Sequence, residues 1–509
     1  MNKFAISLSI GLFIFTLHLK GFSQELKSKT LTFTDVYDQM INNSHVLKQA
    51  EFHINEKTAD LKAAKGLRAP KISLSGTAVQ LSDPLHLDLT PVRDAINPLY
   101  SALGNYGNFS GVPNPDPATN QAVPILPDEL STAAVRAQLL NGQAEINAAE
   151  WDKMIQEKQF ASLNASVIWP LFTGGKINAA NEAARIYEEE AGWQKDQKHA
   201  ELLSELVTRY FGLVLSRESE KVRTQVLSAM EKHLSDANKL SEQGQIAKVE
   251  ELYAEVARAD AERELKKARR QSNIVERSLQ NTLAFSEEDT IIPVSNLFIL
   301  KNIGNESEFI ELAKVNSPLL KQVNSKKELA QTGIKLEKSN YLPTVALTGM
   351  YDIANKDLSP YVPEWMVGLG LKWTLFDGIA RTRKVQSAKF KVDQVEEAGE
   401  KAEADIETLI RKLHQELGMQ VEQLESLDKS ITFAEAYLES KDKAFHEGLA
   451  TSSDLVDAQL LVAKFKIEQL KVMYQYDVAL AALLQICGVP AQFNNYLSSN
   501  AAITGTINQ

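Results

Sequence analysis

The chain has 509 residues, a formal net charge of −11 and one cysteine. Because nucleic-acid binding requires a cationic surface, this acidic balance argues against a nucleic-acid partner. A single cysteine permits neither an internal disulfide nor a thiolate metal cluster, and we predict no metal and no other cofactor.

Residues 1–23 have the pattern of a secretory signal peptide. Lys3 supplies a positive charge near the start, residues 5–19 form an apolar stretch, and residues 21–23 form a small-x-small cleavage site. A membrane anchor is the alternative, but the apolar stretch is short for a membrane span. Cys487 lies far from the cleavage site, so no lipid-attachment cysteine is predicted there. These features are typical of an exported protein of a bacterial envelope.

The remainder of the chain repeats itself with a unit of about two hundred residues. Trp169-Pro-Leu-Phe-Thr-Gly-Gly175 reappears 204 residues later as Trp373-Thr-Leu-Phe-Asp-Gly-Ile379, and Gly244 corresponds in the same way to Gly448. Upstream of these motifs the offset is 273, so the first copy carries 69 additional residues. The predicted boundaries are 24–285 for the first repeat, 286–304 for a linker, 305–490 for the second repeat and 491–509 for a C-terminal tail.

Four segments alternate apolar and polar residues with a period of two, which is typical of β-strands. In Val367-Gly-Leu-Gly-Leu-Lys-Trp373, for example, the apolar side chains lie on one face and the glycines and the lysine on the other. The predicted strands are about 70–81, 160–172, 343–352 and 365–376. Each is about ten residues long, as a tilted transmembrane strand requires, although strands of a soluble sheet would show the same pattern. Aromatic residues at the helix-proximal ends of two strands fit an interfacial belt, namely Trp169, Phe172, Trp373 and Phe376.

The additional residues of the first copy lie between its two strands, over about 82–158. Prolines make the first part of this insertion irregular, whereas 130–159 is predicted to be helical, with Trp151 packed at the rim. The corresponding loop of the second copy is short, near 352–364. An insertion at a strand–strand tip opposite the helices would face the cell exterior, either as surface decoration or as a lid or receptor.

Two long runs without proline follow the strand pairs, and each is interrupted by a glycine, Gly244 or Gly448. Apolar residues recur at helical spacing on one face of the first run: Leu203, Val207, Tyr210 and Val214. Because glycine readily ends a helix in the left-handed conformation, we predict two long helical hairpins, over about 175–284 and 378–487. Each first helix would be roughly 100 Å long. An ordinary coiled coil is the alternative for these runs alone.

Four strands cannot close a barrel, and an open sheet edge cannot face lipid because its backbone amides would lack hydrogen-bond partners. If these strands span a membrane, several chains must combine them. Three chains give twelve strands and a small pore, whereas two chains give eight strands, whose interior side chains usually fill the barrel.

The doubled plan, with Trp-x-Leu-Phe-x-Gly before each long helix and Gly448-Leu-Ala-Thr-Ser-Ser-Asp-Leu-Val-Asp-Ala-Gln459 at the second tip, resembles the outer-membrane efflux protein family, the TolC-like exit ducts. The resemblance covers almost the whole mature chain. It implies an α+β membrane protein of the Gram-negative outer membrane. The homotrimer would form a twelve-stranded β-barrel, with four strands per chain, continued by a long α-helical coiled-coil barrel in the periplasm. The implied partners are a periplasmic adaptor protein, an inner-membrane transporter and outer-membrane lipid, in tripartite efflux or type I secretion.

The resemblance also implies an aperture at the periplasmic end. Asp454 and Asp457 match the paired aspartates that ring the family's aperture, and residues three apart share one helix face. Three chains would therefore present six carboxylates, a ring that favours cations. Solvated aspartates at the positive end of a helix dipole are the alternative. Glu250 is the equivalent of Asp454 in the first copy and is expected to join the gating contacts.

A gating arginine of well-known family members falls on Ala450, and Phe445 stands where those members have a tyrosine. Closure is therefore expected to depend on hydrophobic packing or on other polar contacts. By the same resemblance, the residues at the two hairpin tips are candidate adaptor contacts: Gly244, Gln245, Ile246, Ala247, Gly448, Leu449, Ala450 and Thr451.

The sequence contains no phosphate-binding glycine loop, no His-x-x-x-His pair and no Gly-x-Ser-x-Gly motif, so we predict that the chain is not an enzyme. Six histidines on helical stretches are predicted to be surface residues: His45, His53, His199, His233, His414 and His446. The leading prediction is a passive exit duct that serves an inner-membrane pump. A secreted coiled-coil scaffold or adhesin is the alternative, and an envelope hydrolase is a weaker one.

Overall fold

The computed structural model describes residues 28–106, 133–286 and 289–505, so the predicted signal peptide lies outside the described residues. The elements in chain order are β1 (Ser28–Leu31), α1 (Phe33–Asn43), α2 (His45–Gly66), β2 (Lys71–Gln80), β3 (Leu85–Asp88), α3 (Thr90–Tyr106), α4 (Ala133–Ala148), β4 (Asp152–Gln156), β5 (Gln159–Phe172), α5 (Lys176–Glu242), α6 (Lys248–Leu283), β6 (Thr290–Pro293), β7 (Leu297–Ile299), α7 (Glu306–Asn316), α8 (Pro318–Ser339), β8 (Thr344–Lys356), β9 (Trp365–Lys372), α9 (Ala380–His446), α10 (Ser452–Ile486), α11 (Gln492–Leu497) and β10 (Ile503–Gly505).

The chain divides into two compact units, of which the sheet unit comprises Lys62–Asn181 and Gly333–Gln386 as far as they are described. Its main sheet has the strand order β2-β5-β8-β9, and all neighbouring strands are antiparallel. Each of the four predicted strands overlaps one of these. Strand β8 continues beyond the predicted end at residue 352, because Ala354, Asn355 and Lys356 pair with β5.

The register of the main sheet brings most of the apolar residues of the four strands onto one face. One row of paired residues crosses the whole sheet: Leu74, Ala165, Tyr351 and Trp365. Paired residues in register point to the same side. On the opposite side the Oγ atoms of Ser73 and Ser166 lie 2.9 Å apart, at hydrogen-bond distance. The sheet therefore has one apolar face and one mainly polar face, with β2 and β9 as its edges.

The insertion of the sheet unit contains more regular structure than we predicted. Strands β3 and β4 pair antiparallel, so the irregular first part contains a strand and a helix, and the helix predicted over 130–159 ends at Ala148. Pro91 is harmless in α3 because the first helical turn needs no intrahelical N–H donor. Trp151 lies at the end of the β3–β4 pair that leads into α3 and α4. Its carbonyl accepts a hydrogen bond from the Leu89 N–H at 2.7 Å, and its indole donates to the carbonyl of Ile146 at 2.6 Å.

The helical unit comprises Met1–Leu61, Glu182–Thr332 and Ser387–Gln509 as far as they are described. Helices α5 and α9 have 67 residues each, which corresponds to about 100 Å. The predicted face with Leu203 and Tyr210 is buried in the core. Among the described helices, none combines the length and the apolar character needed to cross a membrane.

Residues 286–304 and 491–509, predicted as a linker and a tail, instead help to build the core of the helical unit. Strand β6 pairs in parallel with β1, and β7 pairs antiparallel with β10. Phe298 and Phe493 are fully buried, with ring centroids 5.7 Å apart. These strands have only three or four residues and pair with segments far away in sequence, so the local pattern gave no signal for them.

Candidate functional site

Both helical hairpins turn through the same backbone motif. Gly244 and Gly448 adopt φ angles of 70° and 73°. In the second hairpin the Leu449 N–H bonds to the carbonyl of Ala444 at 2.8 Å, and the equivalent bond of the first hairpin is 2.9 Å. A left-handed residue followed by this bond is the Schellman motif that ends a helix. Glycine adopts it without steric strain because it lacks Cβ.

The predicted tip residues divide into an exposed group and a packed group. The exposed residues are Gly244, Gln245, Ala247, Gly448, Leu449 and Thr451. Leu449 is 79% exposed, so the second tip presents an apolar side chain to its surroundings. Ile246 and Ala450 are half-buried and pack against a small core below the tips. The surface open to a partner is therefore smaller than the predicted set.

That small core, the tip cluster, consists of Ala237, Ala254, Phe445 and Leu455, one residue from each of the four hairpin helices. Phe445 is 1% exposed, and its ring meets the ring of His233 edge-on at a centroid distance of 4.7 Å. Phe445 stands at the gating position of the resemblance, where closure was expected to depend on hydrophobic packing or on other polar contacts. Within one chain it is buried and joins the two hairpins.

The carboxylate of Asp454 forms hydrogen bonds at the start of α10. It accepts a hydrogen bond from the Thr451 N–H at 3.1 Å, while the Asp454 N–H donates to Thr451 Oγ1 at 3.2 Å, a reciprocal arrangement known as a capping box. The other carboxylate oxygen accepts from Lys441 Nζ at 3.2 Å. The hydrogen bonds from Thr451, followed by that from Lys441, lower the pKa of Asp454. The carboxyl group therefore stays ionised until the pH falls below its ordinary titration range.

Asp457 lies one helical turn further along α10 in different surroundings. It is exposed, and among the described residues it has neither an ion pair nor a hydrogen bond through its side chain. The two aspartates thus share a helix face, as predicted, but only Asp457 has a free carboxylate.

Glu250 joins the first hairpin to the second. Its Oε2 accepts the N–H of Ser452 at 2.6 Å, and its backbone carbonyl accepts from Ser452 Oγ at 3.1 Å. The N–H groups of a first helical turn have no acceptor within their own helix. Glu250 therefore satisfies one such donor of α10, and this contact holds the starts of α6 and α10 together.

Two residues of this region, Lys441 and Ser452, were missed by the sequence analysis, and a third, His233, was placed wrongly. Thr451-x-x-Asp454 before an apolar run is a capping-box pattern, so the local partner of Asp454 was readable. Lys441 and Ser452 gave no such signal, because their partners lie on other helices. The prediction that His233 is a surface residue was wrong, since it is only 5% exposed.

The tryptophans at the strand ends form equivalent hydrogen bonds in the two copies of the repeat. The indole N–H of Trp169 donates to the carbonyl of Arg68 at 3.1 Å, and that of Trp373 donates to the carbonyl of Tyr341 at 3.0 Å. The donors are related by the offset of 204 and the acceptors by the offset of 273. Both tryptophans and both nearby phenylalanines, Phe172 and Phe376, are exposed. An interfacial role for them stays a prediction.

Gly448→Ala is expected to destabilise the second tip by about 1–2 kcal/mol, because the left-handed conformation is unfavourable for a residue with Cβ. No atom lies within 4 Å of the added methyl group, so backbone strain alone is tested. Hydrogen exchange of the tip amides measures the effect. Gly418→Ala is the control, since Gly418 also has free space but lies inside α9, where alanine should stabilise by about 0.5–1 kcal/mol. Equal protection in both variants would contradict the assigned role of Gly448.

Comparison with known proteins identifies the family of the chain. The sequence model described as outer membrane efflux protein matches residues 140–284 and 309–489, which together make up more than half of the chain. The chain belongs to the outer membrane efflux protein family. The predicted resemblance and the predicted location in the outer membrane of a Gram-negative bacterium are thereby confirmed. Membership of a family of channels also agrees with the prediction that the chain is not an enzyme.

Individual relatives are distant in sequence and similar in fold. The outer membrane protein TolC of Vibrio cholerae is 22% identical over 230 residues, which are 42% of this chain and 52% of TolC. The chain therefore matches about half the length of this curated relative.

Three solved structures share the fold. A membrane protein from Pseudomonas aeruginosa has a TM-score of 0.66 and 14% identity, covering 89% of this chain and 90% of its own. VceC of Vibrio cholerae has a TM-score of 0.64 and 12% identity, with coverages of 90% and 96%. The CmeC channel of Campylobacter jejuni has a TM-score of 0.65 and 13% identity, with coverages of 90% and 86%.

Proposed function

We propose that three copies of this chain form a passive exit duct in the outer membrane, through which an inner-membrane transporter expels solutes or polypeptides. The observation that carries the proposal is the open, amphipathic four-stranded sheet. Its edge strands β2 and β9 lack a neighbour on one side within the described chain, and their residues are almost all exposed. An edge of this kind is incompatible with lipid unless another copy pairs with it.

The strand directions are compatible with such pairing. Each step from β2 to β5, β8 and β9 is antiparallel, so β9 runs antiparallel to β2. Strand β9 of one copy can therefore continue the antiparallel pattern with β2 of the next. Three copies give a twelve-stranded barrel, which is wide enough for a pore. The apolar face of the sheet would then contact lipid, and the polar face would line the pore.

The proposed partners meet the duct at its hairpin tips. The exposed residues of both tips, with Leu449 as the apolar centre, form the surface that we propose for a periplasmic adaptor protein. The name of the family supports efflux, and the structure of CmeC is that of an outer membrane channel. Within this proposal the energy for transport comes from the inner-membrane transporter.

The proposal is tested by extracting the protein from outer membranes, determining its mass in detergent and measuring ion conductance in planar bilayers. A trimer with steady conductance is expected. A monomer without conductance would overturn the duct.

The two aperture candidates have different surroundings, since Asp454 is bonded to Thr451 and Lys441 and Asp457 is exposed. A pair of substitutions therefore distinguishes their roles. Asp457→Asn is expected to reduce the cation-to-anion permeability ratio by about twofold or more, because it removes three of the six proposed carboxylates and those are the free ones. Asp454→Asn should change selectivity less, because Lys441 already offsets its charge, and should mainly weaken the start of α10. Reversal potentials under a salt gradient give the ratio. If Asp457→Asn conducts like the wild type, Asp457 does not line the narrowest part of the pore.

A further inference from the structure

His233 occupies an unusual position in the tip region. It lies on α5, is 95% buried and packs edge-on against Phe445 of α9. Neither Nδ1 nor Nε2 has a hydrogen-bond partner among the described residues. A buried ring without partners is tolerable as neutral imidazole, but an imidazolium needs acceptors for two N–H donors.

Acidic groups surround this ring without bonding to it. Asp236 on α5, Glu250 on α6 and Asp442 on α9 act on it electrostatically, and so does His446 on α9 with the opposite sign. His446 has partners of its own, since its Nδ1 lies 2.8 Å from the carbonyl oxygen of Asp442 and its Nε2 lies 3.6 Å from Asp236 Oδ2.

The ring borders a cavity of about 300 Å³ that both aspartates also line. Lys232, Glu435 and Glu439 are the other charged groups of this cavity, and α10 contributes only uncharged residues. Glu435 and Glu439 are paired with Lys466 and Lys443, at 2.7 Å each. Asp236 and Asp442 are therefore the cavity carboxylates that both interact electrostatically with His233 and have no lysine of α9 or α10 bound to them.

We propose that His233 makes the packing between the two hairpins sensitive to pH: its protonation moves the ring away from Phe445 toward Asp236 and Asp442 and loosens the tip cluster. The movement exchanges an aromatic contact for charge-assisted hydrogen bonds. Because Phe445 contributes to the cluster that joins all four helices, the apolar packing between the two hairpins weakens near their tips.

The direction of the effect follows from burial. Desolvation lowers the pKa of His233 in the packed state, against smaller opposing contributions from the nearby aspartates. The packed state thus favours the neutral ring. Its stabilisation is fully present above the ordinary pKa of histidine, about 6.5, and is lost progressively as the pH falls below that value. Acidification loosens the tips, and neutral pH keeps them packed.

The test uses the purified full-length protein and hydrogen exchange, corrected for the intrinsic pH dependence of exchange. Amide protection of residues 230–246 and 440–456 is expected to fall about tenfold between about pH 7.5 and about pH 5, which corresponds to about 1.4 kcal/mol. Residues 203–214 in the main core serve as the internal reference and should keep their protection. Unchanged protection at the tips would overturn the proposal, and this result requires no variant.

Two variants assign the effect to one side chain. His233→Leu places a neutral apolar residue in the apolar cluster and should abolish the pH response, while His446→Gln should retain it. If His233→Leu does not fold, His233→Gln takes its place with the same expectation. A pH response that survives the removal of the His233 imidazole would exclude His233 as its origin.

A consequence for conduction rests on the proposed duct. In bilayers the open probability should rise as the pH falls in the wild type, but not in His233→Leu. Loss of tip protection without any conductance would retain the pH-sensitive packing and reject the duct. Conductance without a change in tip protection would retain the duct and reject the pH-sensitive packing.

Discussion

Leu369→Arg is expected to prevent stable insertion of the protein into the outer membrane, whereas Gly370→Arg is expected to leave insertion intact. Leu369 lies in the middle of β9 on the apolar face of the sheet and is 70% exposed. An arginine facing lipid near the bilayer midplane costs about 2–4 kcal/mol, and a trimer would carry three of them. That sum is a large fraction of the stability of an ordinary folded protein.

Gly370 provides a control at nearly the same depth on the opposite face. An added Cβ would meet no atom closer than the carbonyl oxygen of Ala346 at 3.9 Å, so the side chain has room. Facing the pore, three arginines should leave the trimer intact and shift ion selectivity toward anions. Outer-membrane fractions, detergent-resistant trimers and reversal potentials measure these outcomes. Equal insertion of both variants would contradict a lipid contact of the apolar face. If Leu369→Arg inserted and Gly370→Arg did not, the face that carries Gly370 would be the one in contact with lipid.

The faces of the strands could be predicted because alternation is a local property. Val367, Leu369 and Leu371 face the same side in any β-strand, whatever strand pairs with it. The strand order and register depend on pairing partners from both repeats, and the sequence did not contain that information in a local form. The pairing of Tyr351 with both Ala165 and Trp365 is known only from the structure.

The errors in the predicted fold have a common physical origin. Strands β1, β6, β7 and β10 are too short to show a period, and they are stabilised by partners remote in the chain. The helix predicted over 130–159 ends early because Asp152–Gln156 gains an antiparallel partner in β3. Where tertiary pairing decides the conformation, propensity and proline content are poor guides.

The candidate site was predicted in outline, since the tip glycines and the two aspartates were found from the repeat and the resemblance. The contributions of its residues to stability could not be predicted, because they depend on contacts between helices that are distant in sequence. Contacts between the two hairpins at the tip include the tip cluster, the bonds of Glu250 to Ser452 and the approach of His446 to Asp236. The ion pair of Lys441 with Asp454 joins α9 to α10 within the second hairpin. The ion pair is half-exposed and accessible to water, and pairs screened in this way contribute little. The backbone bond of Glu250 contributes about 1 kcal/mol, and the bond to its carboxylate contributes about 1.5–3 kcal/mol. The apolar packing is therefore expected to dominate.

Phe445→Ala is expected to destabilise the packing between the hairpins by about 3–5 kcal/mol, because it removes a fully buried aromatic side chain and leaves a cavity. The expected consequences are faster hydrogen exchange in residues 230–246 and 440–456 and, in the proposed duct, a higher open probability at neutral pH. The effect should exceed that of Glu250→Gln, which keeps a hydrogen-bond acceptor for Ser452. Phe445→Leu should lie between the wild type and Phe445→Ala, since leucine refills most of the space.

Phe433→Ala is the matched control for Phe445→Ala. It removes the same side chain from the same helix, but Phe433 is 65% exposed. Within the described part of the chain its one ring contact is with Tyr437, at a centroid distance of 6.0 Å. Hydrogen exchange at the tips should stay close to that of the wild type in this variant. If Phe433→Ala loosens the tips as much as Phe445→Ala does, a partner copy covers Phe433, and closure depends on contacts between chains. If neither substitution loosens them, the hydrogen bonds of Glu250 to Ser452 hold the hairpins together despite their smaller expected contribution.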